Sequence, residues 1–203
     1  MRRTLTHALV RLVLFAALIV VAFAAPASAQ NAPVRDSSAP ADPFQRHAWH
    51  LELTGHGAIE TWNYNGNHEE MGGLFAGVTY AIREGLELKI ASPLYYVWQR
   101  DTDGYLFGVT WGVRGRLAKK RRWSGFWEFE VGVSESDTYV PPRGTRFNYL
   151  AVGGGGVTLR VRPGIHAMGG VRWVHVSNNS LAGRDRNPDI EALGPMLGLL
   201  YGF

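Results

Sequence analysis

The chain has 203 residues with no cysteine, 25 glycines, 12% aromatic residues and a formal charge of +4. Without cysteine it can build neither a disulfide framework nor a thiolate metal site. Its length suits one domain, and glycine with aromatic side chains is the palette of β-barrels.

Met1 to Gln30 reads as a cleavable export signal. Arg2, Arg3 and Arg11 form a basic start, Leu12 to Ala25 an apolar run, and Ala27-Ser28-Ala29 a small-x-small cleavage site. The apolar run is short for a spanning helix, which needs about 20 residues. Cleavage is expected after Ala29, making 1–29 the signal. An exported chain argues against nucleic acid as a partner, whereas an anionic membrane surface suits its charge. Residues 30–46, with Pro33, Pro40 and Pro43, read as a flexible lead-in. The remainder, 47–203, reads as one domain.

From there on, apolar and polar residues alternate with the period of a strand. Segment 47–59 sets Trp49, Leu51 and Leu53 against His50, Glu52 and Thr54. Segments 73–82 and 86–98 follow, with faces such as Leu74, Val78, Tyr80 and Leu88, Ile90, Trp98. Segment 105–117 sets Tyr105, Phe107, Val109 and Trp111 against Arg114 and Arg116, and 125–134 sets Trp127, Phe129 and Val131 against Glu128 and Glu130. Segments 147–161 and 165–177 continue the pattern, and Leu193 to Phe203 closes it. Short turns at 83–85, 119–122 and 162–164 alternate with longer polar links at 60–72, 99–104, 135–146 and 178–190.

About eight strands of about ten residues, with connections alternating in length, predict an all-β fold: an eight-stranded antiparallel transmembrane β-barrel of the outer membrane. The terminal Phe203 on an aromatic strand fits a chain read by the barrel assembly machinery. Apolar faces would then point to lipid. Glu52, Glu128, Glu130, Arg114, Arg160 and Arg172 would point inward and could pair. Pro195 cannot donate to a ladder, which predicts a bulge or kink nearby. A secreted β-sandwich or lipocalin-like barrel is the soluble alternative. The aromatic apolar faces and Phe203 favour the membrane.

One outward stripe changes character. On the seventh strand Val171 and Trp173 give way to His175 and Ser177, two residues apart and about 6.6 Å along the same face. On the eighth strand, counting up from Phe203, the same parity leads to Glu191. Serine, histidine and carboxylate converging on an apolar wall supply nucleophile, base and orienting acid. His, Ser and Glu are also ordinary residues at headgroup level, so a non-catalytic structural or adhesive barrel is the competing reading.

The segment His175-Val176-Ser177-Asn178-Asn179-Ser180-Leu181, followed by Asn187-Pro188-Asp189-Ile190-Glu191, resembles the signature of the lipid A 3-O-deacylase family of outer-membrane proteins. The close match covers the last thirty or so residues. It departs from the family at Val176, where an aromatic residue or Ile is frequent, and in a longer loop at 183–186. The resemblance implies Ser177 as nucleophile, His175 as base, Glu191 as its orienter (with Asp189, of the same parity, as the alternative) and Asn178 as an oxyanion-hole donor. It further implies lipid A of lipopolysaccharide as substrate, hydrolysed at its 3-position acyl ester. Such chemistry calls for no metal and no organic cofactor.

Arg184 and Arg186 sit in the loop joining the two site strands and suit bidentate contact with substrate phosphates. Gly153 and Gly155, opposite the seventh strand, would leave an outward furrow for an acyl chain or else relieve strain in a tightly curved barrel. Other candidates carry less. Glu128 and Glu130 read as inward ion-pair partners. His68-Glu69-Glu70 is followed by Gly72 where a zinc helix needs histidine. Asp101-Thr102-Asp103-Gly104 lacks the remaining calcium ligands, and Gly153 to Gly156 precede no helix that could cradle phosphate.

Overall fold

The alternation is realised as a single closed sheet. In the computed structural model, which describes residues 42–62 and 68–203, β1 (Trp49–Glu60), β2 (Glu70–Arg83), β3 (Leu86–Trp98), β4 (Gly104–Lys119), β5 (Trp123–Val140), β6 (Thr145–Arg162), β7 (Ile165–Ser177) and β8 (Ile190–Gly202) pair antiparallel in chain order. β1 meets β8 to close the barrel, so no strand edge is left open. The expected signal (1–29) and most of the expected lead-in lie outside the described residues.

The outward stripe is apolar and exposed: Leu53, Leu74, Ile90, Trp111, Phe129, Leu159, Val171, Leu197 and Tyr201 are among its members. Outer-membrane barrels present such a wall to lipid. Inside, Lys89, Arg114 and Arg172 meet Glu52, Glu128 and Glu130. Lys89 Nζ lies 2.9, 3.1 and 2.8 Å from Glu52, Glu128 and Glu130 in turn. Arg114 Nη2 bonds both Glu52 and Glu128, and Arg172 donates to Glu128 Oε1 through Nε and Nη2 at 2.9 and 2.7 Å. The guanidinium of Arg114 lies over Phe126, and that of Arg172 over Phe75. Removing one partner of a buried pair typically costs about 3–5 kcal/mol, and these pairs tie β1, β3, β4, β5 and β7 together.

Four expectations are corrected. Arg160 does not join the cluster: it stands at the end of β6, and among the described residues it has no carboxylate partner. Lys89 takes the place foreseen for it, because position 89 faces inward at mid-barrel. The link 135–146 is mostly strand, since β5 and β6 run on to a tight turn between Val140 and Thr145. At Pro195 there is no bulge: Val171 pairs with it in unbroken register. On its other side the ladder with β1 passes from His56↔Met196 to Ile59↔Leu193 without a shift, skipping the pairs beside the missing N–H.

The lead-in, expected to be flexible throughout 30–46, is folded at its end. Phe44 is fully buried with Phe126, Met168, Met196 and Leu200, its carbonyl accepts from Gly85 N at 3.0 Å, and Asp42 takes two bonds of 2.9 Å from Arg116 Nη2. Apolar burial and the ion pair hold what composition alone marks as loop.

Candidate active site

β7 and β8 are adjacent, and their register sets His175 directly opposite Glu191. Parity put Glu191 on the same outward face as His175 and Ser177, and this register sets the carboxylate against the imidazole. Glu191 Oε1 lies 2.7 Å from His175 Nδ1, and His175 Nε2 lies 2.9 Å from Ser177 Oγ. With Nδ1–H donated to the carboxylate, Nε2 is left as the acceptor of the serine proton. Ser177 is 8% exposed; the His175 and Glu191 side chains are 25% and 18% exposed. The cluster therefore sits in the outer wall, shielded but reachable from the lipid side.

Glu191 is held at several points. Its Oε2 accepts from Trp173 Nε1 at 2.6 Å, and its backbone carbonyl accepts from Thr61 N and Thr61 Oγ1 at 2.8 and 3.1 Å. The Trp173 ring also stacks on His175, with centroids 6.0 Å apart and planes 23° apart. Sequence reasoning assigned Trp173 to the lipid-facing stripe and missed this bond. The available signal was positional: residue 173 shares the face of 175 and lies diagonally across from 191.

Asp189 also lies close, and ligand atoms of His175, Asp189 and Glu191 fall within 4.8 Å of one another. This is a spacing that could accept a divalent cation. Both imidazole nitrogens already have partners in Glu191 and Ser177, which favours the hydrogen-bonded arrangement.

Asn178 is 1% exposed and its Nδ2 donates to Arg186 O at 2.5 Å. Its side chain thus anchors the β7–β8 loop. Arg186 is engaged as well: Nη2 donates to Gly144 O at 3.1 Å, and the guanidinium lies over Tyr139. It ties this loop to the β5–β6 turn. Arg184 opens the short 3-10 turn Arg184–Arg186 and is exposed.

Ser177 pairs with Tyr149, Trp173 with Gly153 and Val171 with Gly155. The glycine run divides by face. A Cβ at Gly154 or Gly156 would meet a backbone oxygen of β7 at 2.6 or 2.2 Å, so these two serve the curvature of the wall. A Cβ at Gly153 would meet only the Trp173 ring, at 3.4 Å, and Phe129. Gly155 is tighter, with Phe126 O at 3.0 Å. On the opposite side of Trp173 a recess of about 340 Å³ is lined by Trp62, Trp173, Glu191 and Leu193.

No family model matches the sequence. No curated protein matches it either. Solved structures do. Neisserial surface protein A (NspA) aligns with a TM-score of 0.60 at 11% identity, over 76% of this chain and 97% of that one. OprG of Pseudomonas aeruginosa aligns at 0.52 and 10% identity, over 79% and 98%. The outer membrane enzyme PagL aligns at 0.51 and 15% identity, over 73% and 97%. At these identities the likeness establishes the fold: this chain is an eight-stranded antiparallel β-barrel of the kind found in outer-membrane proteins.

Proposed function

We propose that this barrel is an esterase that removes an ester-linked acyl chain, that of the 3-position, from lipid A. The observation that carries the proposal is the Ser177–His175–Glu191 relay, bonded at 2.9 and 2.7 Å, on a wall that faces lipid. The resemblance of residues 175–191 to the lipid A 3-O-deacylases supports the substrate class.

In this reading Ser177 Oγ attacks the ester carbonyl while His175 Nε2 takes its proton, and Glu191 steadies the imidazolium through Nδ1–H. An N–H of Asn178 stabilises the oxyanion. Collapse expels the sugar hydroxyl, which takes the proton back from His175, and water releases the acyl-enzyme by the same steps. None of these steps calls for a metal or an organic cofactor. Arg184 meets a substrate phosphate, while Arg186 holds the loop that presents it. The furrow at Gly153, with Gly155 below it, receives the acyl tail. Export by the 1–29 signal and insertion by the barrel assembly machinery belong to the same proposal.

The test is mass spectrometry of lipid A from cells expressing the wild type or Ser177→Ala, with folding checked by heat-modifiable gel mobility. Wild type should release one hydroxyacyl chain and the variant none. Identical lipid A from both, in folded form, refutes the esterase and leaves a structural or adhesive barrel.

A further inference from the structure

The periplasmic end of the barrel, where the short turns lie, carries a concentration of cations that the esterase reading does not use. Its carboxylates, the half-buried Asp42 and the exposed Glu84, are both engaged by Arg116 and Lys119, at 2.7–3.4 Å. Lys120, Arg121 and Arg122 in the β4–β5 turn, with Arg160 and Arg162 at the end of β6, have no carboxylate partner among the described residues. Like charges held this close repel one another unless something anionic is shared between them.

The two groups are held side by side. Arg160 N donates to Arg122 O at 2.8 Å, and Trp123 pairs with Leu159. Between them, at the barrel mouth, lies a recess of about 240 Å³ lined by the four cations of residues 119–122, by Arg160 and His166, and by one carboxylate, Asp42, which pairs with Lys119 at 2.7 Å. The cations outnumber that carboxylate, and Lys120, Arg121 and Arg122 stand exposed on the rim, where positive charge suits a phosphodiester. On the outward face of the same strand ends, Leu117, Trp123, Leu159 and Val161 are exposed. A tryptophan at the boundary of such a wall marks headgroup level.

We infer that the β4–β5 and β6–β7 turns form a binding edge for anionic phospholipid headgroups of the periplasmic leaflet. The lipid phosphate sits at the rim against Lys120, Arg121 and Arg122, and the acyl chains lie along Leu117, Trp123, Leu159 and Val161. The adjoining hydrocarbon wall selects a lipid over a soluble anion, because only a lipid fills both halves of the edge. This edge is at the opposite end from Ser177 and is independent of the esterase reading.

The experiment is native mass spectrometry of the barrel released from detergent containing equal phosphatidylglycerol and phosphatidylcholine. The wild type should retain phosphatidylglycerol preferentially, and added salt should weaken the preference. A Lys or Arg near an anionic surface is worth about fivefold in affinity. Lys120→Gln/Arg121→Gln/Arg122→Gln should therefore lose the preference by roughly a hundredfold, Arg121→Gln alone by about fivefold, and Arg121→Lys/Arg122→Lys should keep it. Equal retention of both lipids by the wild type overturns the inference, as does an undiminished preference in the triple variant or, if that variant fails to fold, in Arg121→Gln. Displacement of the lipid by inorganic phosphate at equal concentration also overturns it, since the site would then take a free anion.

Discussion

Replacing Trp173 by Phe removes one hydrogen bond while keeping an aromatic ring against His175 and Gly153. The bond lost is Trp173 Nε1–H to Glu191 Oε2, 2.6 Å long. A hydrogen bond to a charged group is worth about 1.5–3 kcal/mol, and every 1.36 kcal/mol is tenfold in rate. The Glu191 side chain is 18% exposed, so water can replace the indole in part. The lower end applies, which gives a fall in kcat of about tenfold. KM should barely move, because the carboxylate acts through His175 and touches no substrate. The assay is initial-rate release of acyl chain from lipid A in mixed micelles, with kcat and KM resolved. Unchanged kcat refutes Trp173 as a positioning residue. A raised KM at constant kcat assigns the ring to the substrate's acyl chain instead.

Glu191→Ala should lower kcat by less than Ser177→Ala does, whereas Asp189→Ala should be close to neutral, since Glu191 rather than Asp189 holds Nδ1 at 2.7 Å; a more damaging Asp189→Ala in the same micelle assay moves the acid to 189. Gly153→Leu should cut turnover of long-chain lipid A more than that of a short soluble ester, because its new side chain enters the furrow where the nearest obstacle is the Trp173 ring at 3.4 Å; equal loss on both substrates means that Gly153 serves the barrel's shape. Glu69, in the β1–β2 loop, is pushed up from 4.5 to about 8 by burial first and then by its hydrogen bond with Glu60. The folded chain keeps a proton that the unfolded chain releases above about 4.5, so stability falls as pH rises through the window from there to about 8. Glu69→Gln should flatten that part of the pH dependence of the heat-modifiability midpoint, and an unaltered slope would exclude Glu69 as its source.

Period-two alternation sufficed to order and face the strands, because a barrel wall imposes one rule on every residue: odd positions of β1 meet lipid and even positions meet the interior. The ranges 86–98 and 165–177 were legible to the residue for that reason. Strand ends were not. Val140 and Thr145 continue pairing beyond the apolar stripe, where backbone hydrogen bonds hold a hairpin that hydropathy no longer marks. The interior cluster was half legible: parity shows that Arg114 and Glu128 point inward, but Lys89 meets Glu52, Glu128 and Glu130 only through closure of the barrel. The same limit hid Trp173. Its ring reads as membrane surface, and only the β7–β8 register reveals that the indole nitrogen reaches a carboxylate.

The location of Ser177, His175 and Glu191 follows from what fills the barrel. Arg114, Arg172, Lys89 and their carboxylates close the interior at mid-height, between one apolar cluster around Phe75 and Tyr95 and another around Phe44 and Phe126. No lipid can enter there, and a reactive serine placed inside would meet none. The outer wall offers the reverse. Its neighbours Trp173 and Leu193 exclude much of the water that weakens a hydrogen bond, so the Glu191–His175 contact gains strength from the apolar surroundings. Such a wall normally rejects carboxylate and imidazole. It tolerates them at this height because Glu191 is bonded on both oxygens, by His175 and Trp173, and because Thr61 pins its backbone to the neighbouring strand. Satisfying the carboxylate fully is what allows a charged side chain to stay on a lipid-facing surface, and the same bonds aim the imidazole at Ser177.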